Sequence, residues 1–312
     1  MMPMILVTGG TGFVGQSLIR QLIANGYEVR TLVRPGHSTP NLPLGISLDV
    51  VVSSLTDERG VRAAMKGVDQ VFHLVTGEYQ GSSADLLNSD IQSTQVVTRT
   101  AAEIGIKHIL YLSHLGADRA SAYPVLKAKG IAENTIRNSG VPYTILRYGI
   151  IFGPGDHLTE GLKTIIQSSQ FFFLLPDSGE MHIQPIWIDD LVSCLIWSLE
   201  DPDKKNTTID IGGPEALSLR QMVDQIQSTI GVRNAPIGVP SAYMRILTVT
   251  LESITPLFPL SIFWLDYFSA DRTCSIDTMP RQFGILPAKF SQKIGYLKTS
   301  KIIRKLTLKR KK

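Results

Sequence analysis

The chain has 312 residues, of which 43% are hydrophobic and 19% charged, so it is long and apolar enough to bury a sizeable core. This composition excludes disorder over most of the chain, and two cysteines, Cys194 and Cys274, argue against a disulfide scaffold and favour a reducing compartment. Eight of the 31 Lys and Arg residues lie within 298–312, which leaves the rest of the chain mildly acidic against 27 Asp and Glu. We therefore predict no nucleic-acid partner, because such a partner requires a basic surface on the fold itself.

Short apolar runs alternate with helical patterns over the first half of the chain. The alternation is typical of right-handed βαβ units, which build a parallel sheet covered on both faces. Strands are predicted at 5–8, 28–33, 70–75, 107–113 and 143–147, and helices at 13–25, 57–65, 84–104 and 123–139.

The pattern changes after residue 152, where a loop rich in glycine and proline begins. Beyond residue 236 proline interrupts the apolar segments, which predicts a smaller lobe of helices and loops. Between these points the chain has an apolar run at 171–175, a short strand at 182–188, a helix to residue 199, a strand at 207–211 and a helix at 218–230.

The sequence predicts neither a signal peptide nor a membrane-spanning segment. The apolar run at 4–8 leads directly into a glycine motif, so we expect a strand there and not a signal peptide. The apolar stretch 246–265 contains Glu252, Pro256 and Pro259, so we expect no transmembrane helix. We predict a cytoplasmic protein, peripheral on a membrane if its basic tail binds there.

A glycine-rich turn, Gly-Gly-Thr-Gly-Phe-Val-Gly at residues 9–15, lies between the first predicted strand and the first predicted helix. The first glycine permits the tight bend, the middle one lets the backbone approach a pyrophosphate, and the last lets helix and strand pack closely. Free amides at the helix start then favour phosphate, and the alternative is a turn that binds no ligand. We predict dinucleotide contacts from Gly9, Thr11, Gly12, Phe13, Val14 and Gly15.

The residue after the second strand indicates which dinucleotide binds. An acid at that position commonly holds the ribose of NAD, but here the strand ends at Val33 and is followed by Arg34. A guanidinium suits the 2′-phosphate of NADP, whereas the alternative is a solvated surface arginine. We predict NADP(H) as the preferred cofactor and NAD(H) as the second choice.

The glycine motif and the strand pattern together predict a doubly wound parallel sheet of the Rossmann type, of about seven strands, with a smaller C-terminal lobe. We assign residues 1–152 and 183–214 to an NAD(P)-binding Rossmann domain. Residues 153–182 and 215–297 form the smaller lobe in this prediction, and 298–312 form a basic tail.

Tyr123 and Lys127 lie four residues apart at the start of a predicted helix, and at that spacing they share a helix face. A nearby ammonium lowers the pKa of a phenol, because it favours the phenolate. Such a tyrosine can exchange a proton with a substrate oxygen while a nicotinamide exchanges hydride with the carbon.

With these motifs the chain resembles the short-chain dehydrogenase/reductase superfamily, in its extended and atypical branches, over roughly residues 4–235. It looks most similar to the branch that contains the nucleotide-binding accessory subunit of respiratory complex I. The resemblance is carried by the glycine turn, the Tyr123/Lys127 pair, Thr144–Arg147, Gly153–Asp156, Gln184–Ile186, Asp189–Asp190 and Ser113–Ala117.

The resemblance implies site residues beyond the glycine turn. Tyr123 and Lys127 are expected beside the nicotinamide, with Lys127 also binding its ribose, and His73, Leu74 and Val75 are expected to border the cofactor. Ser54, followed by Leu55, stands where family members often have an acid that marks the adenine pocket. Ser113 is the candidate for a third catalytic position, with a structural role as the alternative, because only a short loop separates it from Tyr123.

Other polar residues are predicted to be structural. We expect His73 and His114 to be packed, hydrogen-bonded histidines and not catalytic bases. The paired acids Asp189 and Asp190 are expected to cap a helix. No cluster has convincing metal-ligand spacing, so we predict no metal.

The basic tail interleaves its charges with Leu297, Ile302, Ile303, Leu306 and Leu308. A basic amphipathic segment binds an anionic membrane surface or the acidic face of a partner complex. The alternative is a disordered, solubilising tail.

Two functions follow from these features. The first is an NAD(P)-dependent oxidoreductase or epimerase acting on a small carbonyl or hydroxyl substrate, with Tyr123 as proton donor, Lys127 as its partner and Ser113 near the oxyanion. The second is a non-catalytic, dinucleotide-binding accessory subunit or redox sensor docked on a membrane-associated respiratory complex. The Tyr–Lys pair favours the first function, and the short loop before Tyr123 and the basic tail favour the second.

Overall fold

The computed structural model describes residues 3–36, 39–78, 81, 84–169, 171–254 and 261–299. The predicted basic tail, from residue 300 onward, therefore lies outside the described residues. The strands are β1 (Met4–Thr8), β2 (Glu28–Val33), β3 (Asp49–Val52), β4 (Gln70–His73), β5 (His108–His114), β6 (Tyr143–Tyr148), β7 (Ile150–Phe152), β8 (Phe172–Pro176), β9 (His182–Ile183), β10 (Pro185–Trp187), β11 (Thr207–Ile211), β12 (Leu217–Ser218) and β13 (Ala235–Val239).

The helices connect these strands and fill the C-terminal part of the chain. They are α1 (Phe13–Ala24), α2 (Glu58–Met65), α3 (Ser93–Ile104), α4 (Pro124–Arg137), α5 (His157–Ser168), α6 (Ile188–Glu200), α7 (Leu219–Ile230), α8 (Ser241–Ile254), α9 (Ile262–Tyr267), α10 (Thr278–Phe283) and α11 (Phe290–Lys293). A π-helical turn at Leu87–Gln92 leads into α3, and 3-10 helices lie at Pro202–Lys204 and Ile294–Lys298.

Seven strands form one parallel sheet in the order β3-β2-β1-β4-β5-β6-β11. The chain builds outward from β1 in one direction and then returns to build from β4 in the other. Open parallel sheets bind ligands where this reversal leaves a crevice at the carboxyl ends of the strands. The predicted doubly wound α/β fold is confirmed, and its binding crevice lies between β1 and β4.

Alternating side chains of each strand pack against helices on opposite faces of the sheet. Ile5 and Val7 of β1 contact a core formed with α1 and α6, whereas Leu6 between them contacts a core formed with α2 and α3. Tyr111 of β5 packs on α4. Burial on both faces explains why these strands appear in the sequence as nearly continuous apolar runs.

Most predicted elements begin and end within a few residues of the observed ones, because local signals set their ends. The side chain of Asp57 accepts a hydrogen bond from the amide of Arg59 at the start of α2, and Ser218 forms a capping box with Gln221 at the start of α7. Asp189 and Asp190 lie inside the first turn of α6, where acidic side chains favour the helix N-terminus as predicted, but the N-cap is Trp187 and neither acid forms a side-chain cap.

Two predictions for the second half are wrong. The single strand at 182–188 is two short strands on either side of Gln184, whose side chain binds the backbone of Gly213 and Cys274. β9 pairs antiparallel with β12, and β10 pairs parallel with β7. The C-terminal lobe also contains a strand, β13, which pairs parallel with β8. Its Pro236 and Gly238 concealed it, since both residues are depleted in strands.

A second apolar core lies in the C-terminal part of the chain, where α5, α7 and α9 pack around β8 and α11. The residue bounds assigned above to two lobes stay a prediction. In the part of the chain that the structure describes, no helix is long and apolar enough to cross a membrane.

Candidate functional site

A cleft of about 650 Å³ opens at the carboxyl ends of β1, β2, β4 and β5. It brings together the turn after β1 and the loops after β2, β3 and β4, together with residues of α4, β6 and α5. The residues that line it are Gly9, Thr11, Gly12, Phe13, Val14, Gly15, Leu32, Arg34, Ser53, Ser54, Leu55, Thr56, Leu74, Val75, Thr76, Glu78, Asp85, Asn88, Ser89, Ser93, Leu112, Lys129, Tyr148 and His157.

The glycine turn has the backbone geometry that a phosphate cradle requires. Gly9 has φ +81°, a conformation that other residues rarely adopt. A Cβ on Gly15 would lie 2.2 Å from the carbonyl oxygen of Gly9, so α1 packs on the turn at a distance that only glycine allows. Gly12 is the N-cap of α1 and has no side chain, so nothing competes with a ligand for the first amides of the helix. These residues fit a dinucleotide pyrophosphate.

Arg34 lies in the cleft directly after β2, as the sequence predicts, and its side chain is exposed there. Ser54 and Leu55 line the same end, and the Ser54 hydroxyl lies 2.8 Å from that of Thr56. Asp85 also lines the cleft, and the positive charge of Arg34 contributes slightly to the lowered pKa of its carboxyl, after hydrogen bonds from Asn88. This end of the cleft offers one guanidinium and several hydroxyls.

His73 lies beneath the cleft and not in its wall, unlike Leu74 and Val75 that follow it. Its ring nitrogens lie 2.8 Å from the hydroxyl of Thr8 and 3.0 Å from that of Thr94, and the ring stacks on Tyr111. Burial, and then the positive charge of Lys129, lowers the pKa of His73 to about 3. The histidine is therefore neutral at ordinary pH and ties β4 to β1 and α3.

The structure does not bring Tyr123, Lys127 and Ser113 into the cleft. Tyr123 is the N-cap of α4 and is not among the residues that line the cleft, and Lys127 is exposed on the outer side of the same helix. Ser113 is fully buried in β5, and its hydroxyl has no hydrogen-bond partner among the described residues. Their catalytic roles stay a prediction that this placement does not favour.

The lysine that does line the cleft is Lys129, two residues further along α4. Two residues correspond to about 200° around a helix, so Lys129 points inward where Lys127 points outward. Its side chain is only 2% exposed. Its ammonium lies 3.3 Å from a carboxylate oxygen of Asp90, 3.4 Å from the backbone oxygen of Leu112 and 5.1 Å from the ring centre of Tyr111.

Lys129 keeps its charge in this buried position. Burial opposes the charged form, but the Tyr111 hydroxyl and the carboxylates of Asp90 and Glu78 outweigh it and hold the pKa of Lys129 above its ordinary value. Asp90 is itself held in place by hydrogen bonds from the amide of Gly77 and the hydroxyl of Ser89. These partners favour the ammonium form of Lys129 in the wall of the cleft.

The position four residues before Lys129 is Val125, which is buried in the C-terminal apolar core. In the resembled superfamily a tyrosine lies four residues before the lysine, but the residue four before Lys129 is the apolar Val125. The cleft lysine has no phenol partner at that helix position.

A phenol does enter the cleft from β6. Tyr148 is buried, and its hydroxyl lies 3.1 Å from Nε2 of His114 and donates to Oε1 of Glu78 at 3.4 Å. His114 Nε2 also hydrogen-bonds Oε2 of Glu78. His114 is packed and hydrogen-bonded, as the sequence predicts, but its partners belong to a polar cluster at the cleft wall.

Sequence reasoning missed Lys129, Asp90, Glu78 and Tyr148. One signal for Lys129 was present: it occupies the apolar face of α4, in the series Val125, Lys129, Ala132 and Ile136 at spacings of four, three and four. A lysine on a buried face requires a partner, which here is Asp90. No local pattern marks the other three residues, because they meet across different strands and loops.

The fold and the cleft together define a dinucleotide-binding α/β protein. Comparison with protein families makes the assignment specific: residues 9–168 match the model of a family described as NAD(P)H-binding. The chain belongs to this family, and the proteins to which it is similar include a subunit of a mitochondrial NADH dehydrogenase and a reductase.

Two curated relatives illustrate this range. The chain is 26% identical over 224 residues to the mitochondrial NADH dehydrogenase (ubiquinone) 1 alpha subcomplex subunit 9 of Arabidopsis thaliana. This alignment covers 70% of this chain and 56% of the plant subunit. The chain is also 26% identical over 317 residues to the 2-alkyl-3-oxoalkanoate reductase of Stenotrophomonas maltophilia, covering 91% of this chain and 94% of the reductase. The chain therefore spans about half the length of the plant subunit and nearly all of the reductase.

Among solved structures, an epimerase of Methanothermobacter thermautotrophicus superimposes with a TM-score of 0.75, at 18% identity, covering 96% of this chain and 92% of the epimerase. This likeness shows a shared fold.

Proposed function

We propose that this chain is an NADP(H)-dependent reductase of a small carbonyl compound. The observation that carries the proposal is the buried, charged Lys129 in the same cleft as the glycine turn. Sheet order places Arg34 at the end of β2 and Lys129 beside β5, with β1 and β4 between them. Three strand spacings are roughly 14 Å, enough for a dinucleotide to lie across the switch point.

Different residues bind different parts of the dinucleotide along the cleft, from the end of β2 to β5. The amides at the start of α1 bind the pyrophosphate, and Arg34 binds the 2′-phosphate at the adenosine end. Lys129 lies at the nicotinamide end, where its ammonium binds ribose hydroxyls and favours negative charge on a substrate oxygen. The nicotinamide supplies a hydride when bound, and the second curated relative, a reductase of an oxoacid, supports a carbonyl substrate.

Calorimetric titration of the whole chain with NADPH and with NADH, at fixed salt, tests the cofactor. We expect NADPH to bind more tightly. Arg34→Ala should weaken NADPH binding roughly tenfold to hundredfold and leave NADH binding unchanged, because the guanidinium contacts only the extra phosphate. Arg59→Ala, which removes an exposed arginine outside the cleft, is the matched control. Equal affinities for both cofactors would contradict the NADP preference, and no binding of either would overturn the function.

A specific surface feature favours a second candidate, a dinucleotide-binding subunit attached to an acidic membrane surface. Only Thr248 of α8 is buried, and an outward stripe of this helix, formed by Tyr243, Ile246, Leu247 and Ile254, is apolar and exposed. The sequence adds eight basic residues at 298–312, which complement anionic headgroups. The first curated relative is a subunit of a mitochondrial NADH dehydrogenase.

Co-sedimentation with vesicles tests this candidate. The whole chain should pellet with vesicles of phosphatidylserine and phosphatidylcholine, but not with phosphatidylcholine alone. Ile246→Asp in the outward stripe and truncation after Thr299 should each reduce binding, whereas Leu286→Asp, at an exposed leucine outside the stripe, should not. Failure of the whole chain to bind anionic vesicles would overturn membrane attachment.

A further inference from the structure

The cleft wall contains a buried cluster of three polar side chains that the cofactor does not require. Glu78 follows β4, His114 ends β5 and Tyr148 ends β6, so three neighbouring strands deliver them to one place. They are 1%, 2% and 5% exposed, respectively. Buried groups of this kind are costly unless they are hydrogen-bonded, and these three side chains bind one another, although Nδ1 of His114 has no hydrogen-bond partner among the described residues.

Aromatic rings pack against the imidazole of His114. The His114 ring lies 4.4 Å from that of Tyr148, 5.2 Å from that of Phe263 and 5.5 Å from that of Tyr267. These contacts fix the imidazole in one orientation. The cluster reaches the cleft through Glu78 and Tyr148, which both line it.

Among the described residues that line the cleft, Tyr148 is the one phenol, and Lys129 is the one buried ammonium. The helix position that would hold a phenol next to Lys129 is Val125, while Tyr123 lies outside the cleft. A carbonyl reduced in this cleft needs a proton on its oxygen, and Tyr148 is the hydroxyl in position to supply it.

We propose that Tyr148 is the proton donor of the reaction, with His114 and Glu78 as positioning residues that return a proton to it. This inference rests on the proposed reductase function. A hydride and its electron pair add to the carbonyl carbon while the Tyr148 hydroxyl gives its proton to the carbonyl oxygen, and the product is an alcohol. The phenolate regains a proton from the His114–Glu78 pair, which takes one from solvent.

Tyr148, Lys129 and His114 have distinct roles in this reaction. The phenol touches the substrate oxygen, and Lys129 stabilises negative charge on that oxygen. His114 Nε2 lies within hydrogen-bond distance of both the phenol and Glu78, so a proton moves along a path with no gap. General acid catalysis by a positioned side chain contributes about a hundredfold to ten-thousandfold in rate.

The test compares Tyr148→Phe with Tyr123→Phe in the whole chain. Turnover is followed by NADPH oxidation with phenanthrenequinone as the probe, and NADPH affinity by calorimetry. We expect Tyr148→Phe to lower kcat at least about a hundredfold with unchanged NADPH affinity. Tyr123→Phe should behave as the unmodified protein.

Each outcome separates the inference from the function beneath it. If the unmodified protein does not bind NADPH, the proposed function fails. If the unmodified protein reduces the probe and Tyr148→Phe turns over normally, the Tyr148 proposal alone is overturned. If the unmodified protein binds NADPH but does not reduce the probe, the reductase function and the Tyr148 proposal both fail. Loss of turnover in Tyr123→Phe alone would instead support the tyrosine that the sequence motif indicated.

Two further readouts test the positioning residues. The ring signals of His114 in nuclear magnetic resonance spectra should shift in Tyr148→Phe, because the imidazole loses one of its two hydrogen-bond partners. Glu78→Gln should shift the pH dependence of kcat while leaving KM unchanged. A packing role alone would leave the pH profile where it is, and that result would remove Glu78 and His114 from the mechanism.

Discussion

The two ends of the cleft are built in different ways. The end at the glycine turn consists of backbone amides, glycines and the exposed Arg34, all supplied by short local segments. The opposite end consists of the buried side chains Lys129, Asp90, Glu78 and Tyr148, which come from four separate elements. The first end depends on backbone shape and the second on paired charges in a medium of low dielectric, so substitutions should damage them in different ways.

The largest effect is expected at the backbone end. Gly15→Ala places a Cβ 2.2 Å from the Gly9 carbonyl oxygen, and the turn must move away from α1 to accommodate it. We expect NADPH affinity, measured by calorimetry, to fall more than about a hundredfold, because the amides lose their alignment. Gly295→Ala is the control, since its Cβ would meet nothing within 4 Å. Tight binding of NADPH by Gly15→Ala would contradict this prediction, because it would show that the glycine turn still binds the cofactor after it has moved away from α1.

Substitution of Lys129, at the side-chain end of the cleft, should lower both the free energy of unfolding and the turnover. Lys129→Met leaves the Asp90 carboxylate buried without its ion-pair partner, which costs about 3–5 kcal/mol in the free energy of unfolding. Adding Asp90→Asn should recover part of that stability in urea unfolding but no turnover, because the ammonium is still missing. Lys127→Met, on the outer face of the same helix, should change neither quantity. An inactive Lys127→Met with an active Lys129→Met would reverse the assignment of the two lysines.

A smaller effect is expected between the two ends, where His73 joins β4 to β1. Its pKa is lowered to about 3 in the folded protein, so the folded state favours the neutral ring. The resulting stability is present above the unfolded pKa of about 6.5 and is lost as the pH falls below it, by about 1.4 kcal/mol at pH near 5.5. Urea unfolding at two pH values should show this loss, and His73→Gln should reduce it. His182→Gln, at a half-exposed histidine outside the core, is the matched control.

The same contrast explains what the sequence could predict. The glycine turn, Arg34 and the strand–helix order are local patterns, and the structure has them where they were expected. The chemistry beside β5 was assigned to Tyr123 and Lys127 because their spacing matched a motif, although the structure turns Lys129 inward. Which lysine faces the sheet depends on the phase of the helix over the whole apolar stripe, and a four-residue spacing does not contain that information.

The cluster of Glu78, His114 and Tyr148 shows the limit more clearly. Each residue follows or ends a strand that is recognisable in the sequence, but no neighbouring sequence pattern indicates that it belongs to a polar cluster. The three residues meet only because β4, β5 and β6 are neighbours in a parallel sheet. Strand order has to be known before these side chains can be grouped, and strand order is a property of the folded chain.

The order of the sheet also has a consequence for the way the protein is made. β11, the last strand of the sheet, pairs with β6 only after the ribosome has added the whole segment that carries α5 and α6. Until then β6 is the outer strand, with a row of unpaired backbone groups that can template pairing with another nascent chain. Completion of the sheet is therefore late in synthesis, and slow passage through the segment between β6 and β11 would lengthen the period in which aggregation competes with folding.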